Sequence, residues 1–236
     1  MIELKSLVCV AQARVLEGRK KPLHVCTIAY NQSNDCFIRL CLPWQQDTGI
    51  RRWTEFDVAV ERGDDTRKES YDFGQLLRKG STQLSNLDRI KLHKKILQKY
   101  KTESELNSAR ESIGIIIPDR QSLRFVFKDH DEKDKRFSDR MACHGVYYPE
   151  KSIFVVGKSK QFATGRFRKR LLQWDVAEAM RKGLSDPVAA LRQFKEPYII
   201  IGNTPLQRNS FVAVAVMSAP QGMTQQAFNQ QLSLIA

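Results

Sequence analysis

The first 73 or so residues carry four or five short apolar runs separated by turn signals, and this spacing constrains the fold more than any other feature. Residues 2–16 read as a bent strand bearing Leu4, Leu7, Val8, Val10 and Val15. GRKK at 18–21, followed by Pro22, marks a turn. His24–Tyr30 is a β-rich run, NQSND at 31–35 is a turn, and Cys36–Leu42 is its hairpin partner, ended by Pro43. Phe56–Glu61 alternates, with Phe56, Val58 and Val60 on one face. A turn at 63–65 and a short strand over 67–73 follow. Short strands this close together, with no helix between them, bury their apolar faces by closing into a small barrel or a strongly curved sheet.

The rest of the chain mixes both element types. Asn86 is placed to cap a helix running to about Lys101, with Leu87, Ile90, Leu92, Ile96 and Leu97 as its apolar positions. Thr102 to Glu105 fits a capping box for a second, short helix. Strands are expected at 112–118, 123–128, 146–148 and 153–156. Residues 129–140 mix both charge signs and read as a solvated loop. Asp186-Pro187 opens a short helix, and strands follow at 198–201 and 211–217. The expected fold is α+β. It has an OB- or PUA-type β-barrel-like domain over 1–78, a helical connector over 79–111, an α+β domain over 112–220 and a Gln-rich tail over 221–236.

Charge points to a partner class. The chain has 39 Lys and Arg against 26 Asp and Glu, a net +13 that favours nucleic acid or an acidic protein surface. Apolar residues make up 42%, enough for a core, so the charge does not signal disorder. Glu3 and Lys5 interrupt any signal-peptide core, and no apolar run reaches membrane-spanning length. Five cysteines, an odd number, read as reduced thiols of a cytosolic protein.

The densest positive charge lies between Lys158 and Arg170. Lys158, Lys160, Arg166, Arg168, Lys169 and Arg170 occur there with no acid among them, interleaved with Phe162 and Phe167. Cations neutralise phosphates, and exposed aromatics offer stacking faces to bases. The segment runs into a helical pattern, with Leu172, Val176, Ala179 and Met180 on one face and Gly183 as its stop. A second basic and aromatic cluster joins Trp44, Arg51, Arg52 and Trp53.

Other chemistries are poorly served. His24, Cys26, Cys36, Cys41, Cys143 and His144 lack the paired spacing of a structural zinc site. Gly157-Lys158-Ser159 resembles only the tail of a phosphate loop, because Ser152 stands where the first glycine is needed. No Gly-x-Ser-x-Gly elbow occurs. Asp57, Glu61, Asp64 and Asp65 cluster as a magnesium-dependent nuclease would require, yet arginines flank them as in an ordinary polar turn.

Two stretches, FIRLCLPW through RRWTEFDVAVERGDDTRKESYDF and LLQWDVAEAMRK through PYIIIGNTPLQRNSFVAVAVM, resemble a family of uncharacterised bacterial proteins. Trp174-Asp175 and Gly202-Asn203-Thr204 carry the likeness. The family's cysteine pair and Gly-His upstream of the helix are replaced here by FATGRFRKR, so a metal role at that place is lost. The resemblance implies a two-part architecture and no activity.

The leading expectation is a non-catalytic nucleic-acid-binding protein, without cofactor or metal, acting as a subunit of a nucleoprotein assembly. Its alternatives are a metal-dependent nuclease and a subunit docking on an acidic protein.

Overall fold

The computed structural model describes residues 1–16, 23–44, 48–63, 67–204 and 207–224. The expected turn at 18–21, Asp64 and Asp65, and the Gln-rich tail past Thr224 lie outside these residues. Five strands form first: β1 (Ile2–Leu16), β2 (His24–Asn31), β3 (Cys36–Pro43), β4 (Thr54–Glu61) and β5 (Ser70–Gln83). They close into a barrel in the order β1-β2-β3-β5-β4. β3 and β5 run parallel; the other pairs are antiparallel. Ser6, at φ 55°, accompanies a register shift between Leu4 and Leu7, which gives β1 the bend read from its sequence. Leu7, Cys9, Leu40, Phe56 and Val58 fill the barrel.

β5 runs well past the short strand read at 67–73. Arg78, Lys79 and Gly80 continue it because β4 pairs along it as far as Thr54↔Gln83. The expected connector therefore begins in strand. The helix after it, α1 (Asn86–Leu97), is capped by Ser85, whose hydroxyl accepts from the Asp88 N–H, and not by Asn86. The capping box of α2 (Glu103–Ser108) forms as read, between Thr102 and Glu105.

Two three-stranded sheets follow. One orders β11-β10-β6, from β6 (Ile113–Ile116), β10 (Pro197–Thr204) and β11 (Gln207–Ser218). The other orders β7-β8-β9, from β7 (Arg124–Asp129), β8 (Lys151–Lys158) and β9 (Arg166–Arg170). The barrel and the first sheet share one apolar cluster. Val8, Val10, Ile28 and Tyr30 on the outside of the barrel pack with Leu92 and Ile96 of α1, Ile115, Ile200 and Met217. β1 and β2 are thus apolar on both faces, which is why LVCVA and CTIAY read as continuous apolar runs.

The expected loop at 129–140 is a helix, α3 (Glu132–Cys143). Asp131 caps it, Glu132 and Asp134 sit in its first turn, and Arg140 sits in its last. Phe137 and Met141, one turn apart, bury its inner side against Val15, Val146 and Tyr148. That single i, i+4 pair is easily missed after the unbroken polar run at 128–136. Residues 146–148 belong to no strand, although Val146 and Tyr148 are buried. α4 (Trp174–Arg181) ends as expected at Gly183, φ 70°, where Gly183 N–H donates to Met180 and Leu184 N–H donates to Ala179. The helix after Pro187 shortens to α5 (Ala189–Arg192). Among the described residues, no helix is long and apolar enough to cross a membrane.

Candidate nucleic-acid interface

Residues directly opposite in a β-ladder point to the same side of the sheet. Across β7, β8 and β9 the register therefore builds rows. Arg124, Val156 and Arg168 form one, and Val126, Phe154 and Arg170 form the next. Lys158 pairs Arg166 above them, and Lys128 pairs Ser152 below. These rows share one face. The intervening positions Phe125, Ile153, Val155 and Phe167 turn the other way and pack into the core. Alternation within RFVFK and RFRKR thus separates the cations from the hydrophobes.

Arg124, Lys128, Lys158, Arg166 and Arg168 are exposed. No carboxylate stands in these rows. Among the described residues none of the five cations forms an ion pair with a carboxylate, although Lys128 lies in the field of Asp131 at the start of α3. Val126 is 40% exposed and Phe154 is half-buried beside it. The Arg168 guanidinium lies over the Phe154 ring, 4.3 Å from its centre. The face is a cationic rim around a small apolar centre.

The predicted segment is divided by this geometry. Lys158, Arg166 and Arg168 lie on the open face. Phe167 is buried and stacks with Phe162, ring centres 5.6 Å apart, so both rings belong to the core side. Lys169 also turns inward, pairing Glu103 of α2 with its ammonium 5.5 Å from the Phe162 ring. Arg170 donates to Asp134 and to the Tyr148 hydroxyl, each at 3.0 Å, where α3 covers the end of the sheet. Lys160 is exposed at the tip of the β8–β9 turn. Buried Gln161 fixes that turn: it accepts from Ile117 N–H and donates to the carbonyls of Ile115 and Lys101.

Arg51 and Arg52 stand apart from this face. Arg52 pairs Asp175 of α4, and Trp44 lies against Trp174 with ring centres 5.5 Å apart. Trp53 is buried, edge-on to His93. The second basic and aromatic cluster is where the barrel's β3–β4 loop meets α4. Arg51 is exposed beside it.

Sequence reading missed Arg124, Val126, Lys128 and Phe154. Their signal was present: Arg124 and Lys128 are cations in phase on an alternating strand, as are Arg166 and Arg168 on another. What was missing was the β7-β8-β9 pairing that brings them together. Beside the face, an open cleft of about 700 Å³ is lined by Arg120, Lys158, Lys160, Lys195 and Glu196.

Of the acidic candidates among the described residues, Asp57 is engaged otherwise. Asp57 accepts from Arg78 and from the Ser6 N–H at 2.8 Å. The guanidinium holds its carboxyl below the usual carboxylate range, with the backbone donor adding to this. Glu61 is exposed at the end of β4. Among the described residues, no three His, Cys, Asp or Glu side chains gather as a metal would need. Cys26 faces Cys41 across the hairpin, with Arg39 3.7 Å from the Cys26 sulfur. Compared with known proteins, the chain matches no family model and no curated protein.

Proposed function

We propose that this chain is a non-catalytic nucleic-acid-binding protein that grips the phosphate backbone with the open face of β7-β8-β9. The observation that carries this reading is the set of five exposed cations, Arg124, Lys128, Lys158, Arg166 and Arg168, on one sheet face, none of them in an ion pair among the described residues. Ordinary surfaces intersperse the two signs, whereas a set of one sign attracts polyanions over long range.

The strand order β1-β2-β3-β5-β4, with β3 parallel to β5, supports an OB-type barrel. Such barrels commonly bind oligonucleotides across strands 2 and 3. Here Cys26, Ile28 and Tyr30 of β2 are packed under α1 and the β11-β10-β6 sheet. The barrel is therefore read as scaffold and the second sheet as the binding surface. The five cysteines and the excess of cations fit a cytosolic nucleoprotein subunit.

The test is binding of labelled DNA and RNA across a salt series, comparing the natural chain with a variant carrying Arg124→Gln, Lys158→Gln, Arg166→Gln and Arg168→Gln. The variant is expected to lower the slope of log K against log salt by roughly 3, at about 0.7–0.9 for each phosphate that is no longer neutralised. Absence of binding by the natural chain at low salt would overturn the reading and leave an acidic protein as the partner.

A further inference from the structure

We infer that the open face of β7-β8-β9 selects single-stranded nucleic acid, and that an unpaired base stacks on Phe154. This rests on the phosphate-binding reading above and adds the form of the ligand. The face has a particular cross-section. β7 and β9 flank β8 at one strand spacing on each side, so their side chains stand about 10 Å apart. Arg124 and Lys128 line one edge, and Arg166 and Arg168 line the other. Between them runs an apolar strip of Phe154 and Val156 on β8, with Val126 beside it.

A duplex directs its phosphates outward and keeps its bases stacked inside. It would meet the cations and leave the apolar strip against water. A single strand presents both chemistries within one nucleotide's width: a phosphate for the rim and a base face for the ring. The match in spacing and in charge therefore favours the single strand.

Arg168 covers the Phe154 ring at 4.3 Å. A cation over a ring open to water on one side is held more weakly than a base stacked on it. The same guanidinium gains a phosphate when it swings aside. Entry of a strand thus exchanges one weak interaction for two stronger ones. Arg168 is free to move because no carboxylate among the described residues holds it. Arg170, in the row of Phe154, is held by Asp134 and Tyr148, and in the next row Ser152 is buried beside Asp134, so the platform closes there with Lys128 at its margin.

The experiment uses the full chain and four probes of equal length: dT12, rU12, a 12-base-pair DNA duplex and polyglutamate. It compares the natural protein with Phe154→Leu and Phe154→Tyr, each checked by thermal melting. The expected result is that dT12 or rU12 binds the natural chain at least tenfold more tightly than the duplex does. Phe154→Leu then weakens binding of that single strand about tenfold with an unchanged salt slope, since every phosphate keeps its cation, and Phe154→Tyr restores affinity. Equal affinity for single strand and duplex, or an unaltered Phe154→Leu, would overturn this inference while the phosphate reading stood. Failure of the natural chain to bind any nucleic-acid probe, or tighter binding of polyglutamate, would overturn both.

Discussion

Arg14 of β1 donates to the hydroxyl of Tyr148 at 2.8 Å, and its guanidinium also lies 4.1 Å from the centre of that ring. The hydrogen bond joins residues 134 apart in sequence and ties the barrel to the segment after α3. Burial pushes the Arg14 guanidinium down from its ordinary value, with the nearby Tyr148 opposing the shift. Arg170 donates to the same hydroxyl. One phenol oxygen thus serves two guanidiniums, and Asp134 balances only one of them.

The first prediction follows from that sharing. Tyr148→Phe keeps the ring under Arg14 but removes the acceptor for both guanidiniums. A hydrogen bond to a charged group contributes about 1.5–3 kcal/mol, so the variant is expected to be less stable by about 2 kcal/mol. In a chain of this size that lowers Tm by roughly 4–8 °C. Calorimetry showing an unchanged Tm would mean that the two arginines are satisfied elsewhere.

A second prediction concerns acid. His93 is buried between Trp53 and Tyr198, with its Nδ1 3.0 Å from the Tyr198 hydroxyl. Burial, with a smaller contribution from Arg89, pushes it from 6.5 down to about 4. The unfolded chain therefore binds a proton at His93 between about pH 6.5 and pH 4 while the folded chain does not. Stability must fall as pH falls through that window, by about 3 kcal/mol in all from this residue. His130 is shifted down by burial too and adds to the same slope. His93→Asn retains an acceptor for Tyr198 but cannot titrate. Its urea-unfolding free energy should show a shallower dependence between pH 6.5 and 4 than that of the natural chain; parallel curves would refute the assignment.

Neither Arg14–Tyr148 nor the His93 pocket is visible in the sequence, because both depend on long-range packing, whereas the barrel is visible. Period-two alternation and turn residues are local signals: Phe56, Val58 and Val60, and NQSND between β2 and β3. The length of β5 was not legible. Arg78-Lys79-Gly80 carries no strand pattern and is strand only because β4 lies alongside. α3 was hidden because its buried side is just Phe137 and Met141, and its polar remainder looks like a loop. The site was half legible. Cations at 158–170 were visible, but which of them face outward depends on strand phase. Lys169 and Phe167 fall on the inner phase, and Arg166 and Arg168 on the outer. The opposite rim, Arg124 and Lys128, reached the site through a pairing that no local pattern specifies.

A third prediction tests the join between the barrel and the sheet. Buried Arg39 of β3 donates to the Ser112 carbonyl at 3.0 Å and packs against Gly202 of β10. A Cβ at Gly202 would stand 2.9 Å from the Arg39 Nη2 and 3.3 Å from a Val214 methyl. Gly202→Ala must displace one of them, at a cost of about 1–3 kcal/mol for overpacking. Arg39→Met in the same chain should relieve part of that cost. A double-mutant cycle with no coupling between the two positions would show that the clip does not bear on Gly202.

The last prediction returns to the basic turn. Gln161 bonds three backbone groups of β6 and its surroundings: it accepts from Ile117 N–H at 2.8 Å and donates to Ile115 and Lys101 at 2.7 and 2.9 Å. The side chain is buried, so removing it leaves the Ile117 N–H and the Ile115 carbonyl without a partner and without water. Gln161→Leu preserves the approximate volume and is expected to cost about 2–4 kcal/mol, since two or more buried polar groups go unsatisfied. It should also release Lys160 from its fixed place in the β8–β9 turn while leaving its charge intact. Hydrogen exchange should then speed up at 159–165 before it does in the barrel. The salt slope of nucleic-acid binding should stay the same, because every cation remains, while affinity falls from the cost of ordering the turn. A fall in salt slope in Gln161→Leu would mean instead that the turn's geometry, beyond its charge, sets how many phosphates are held.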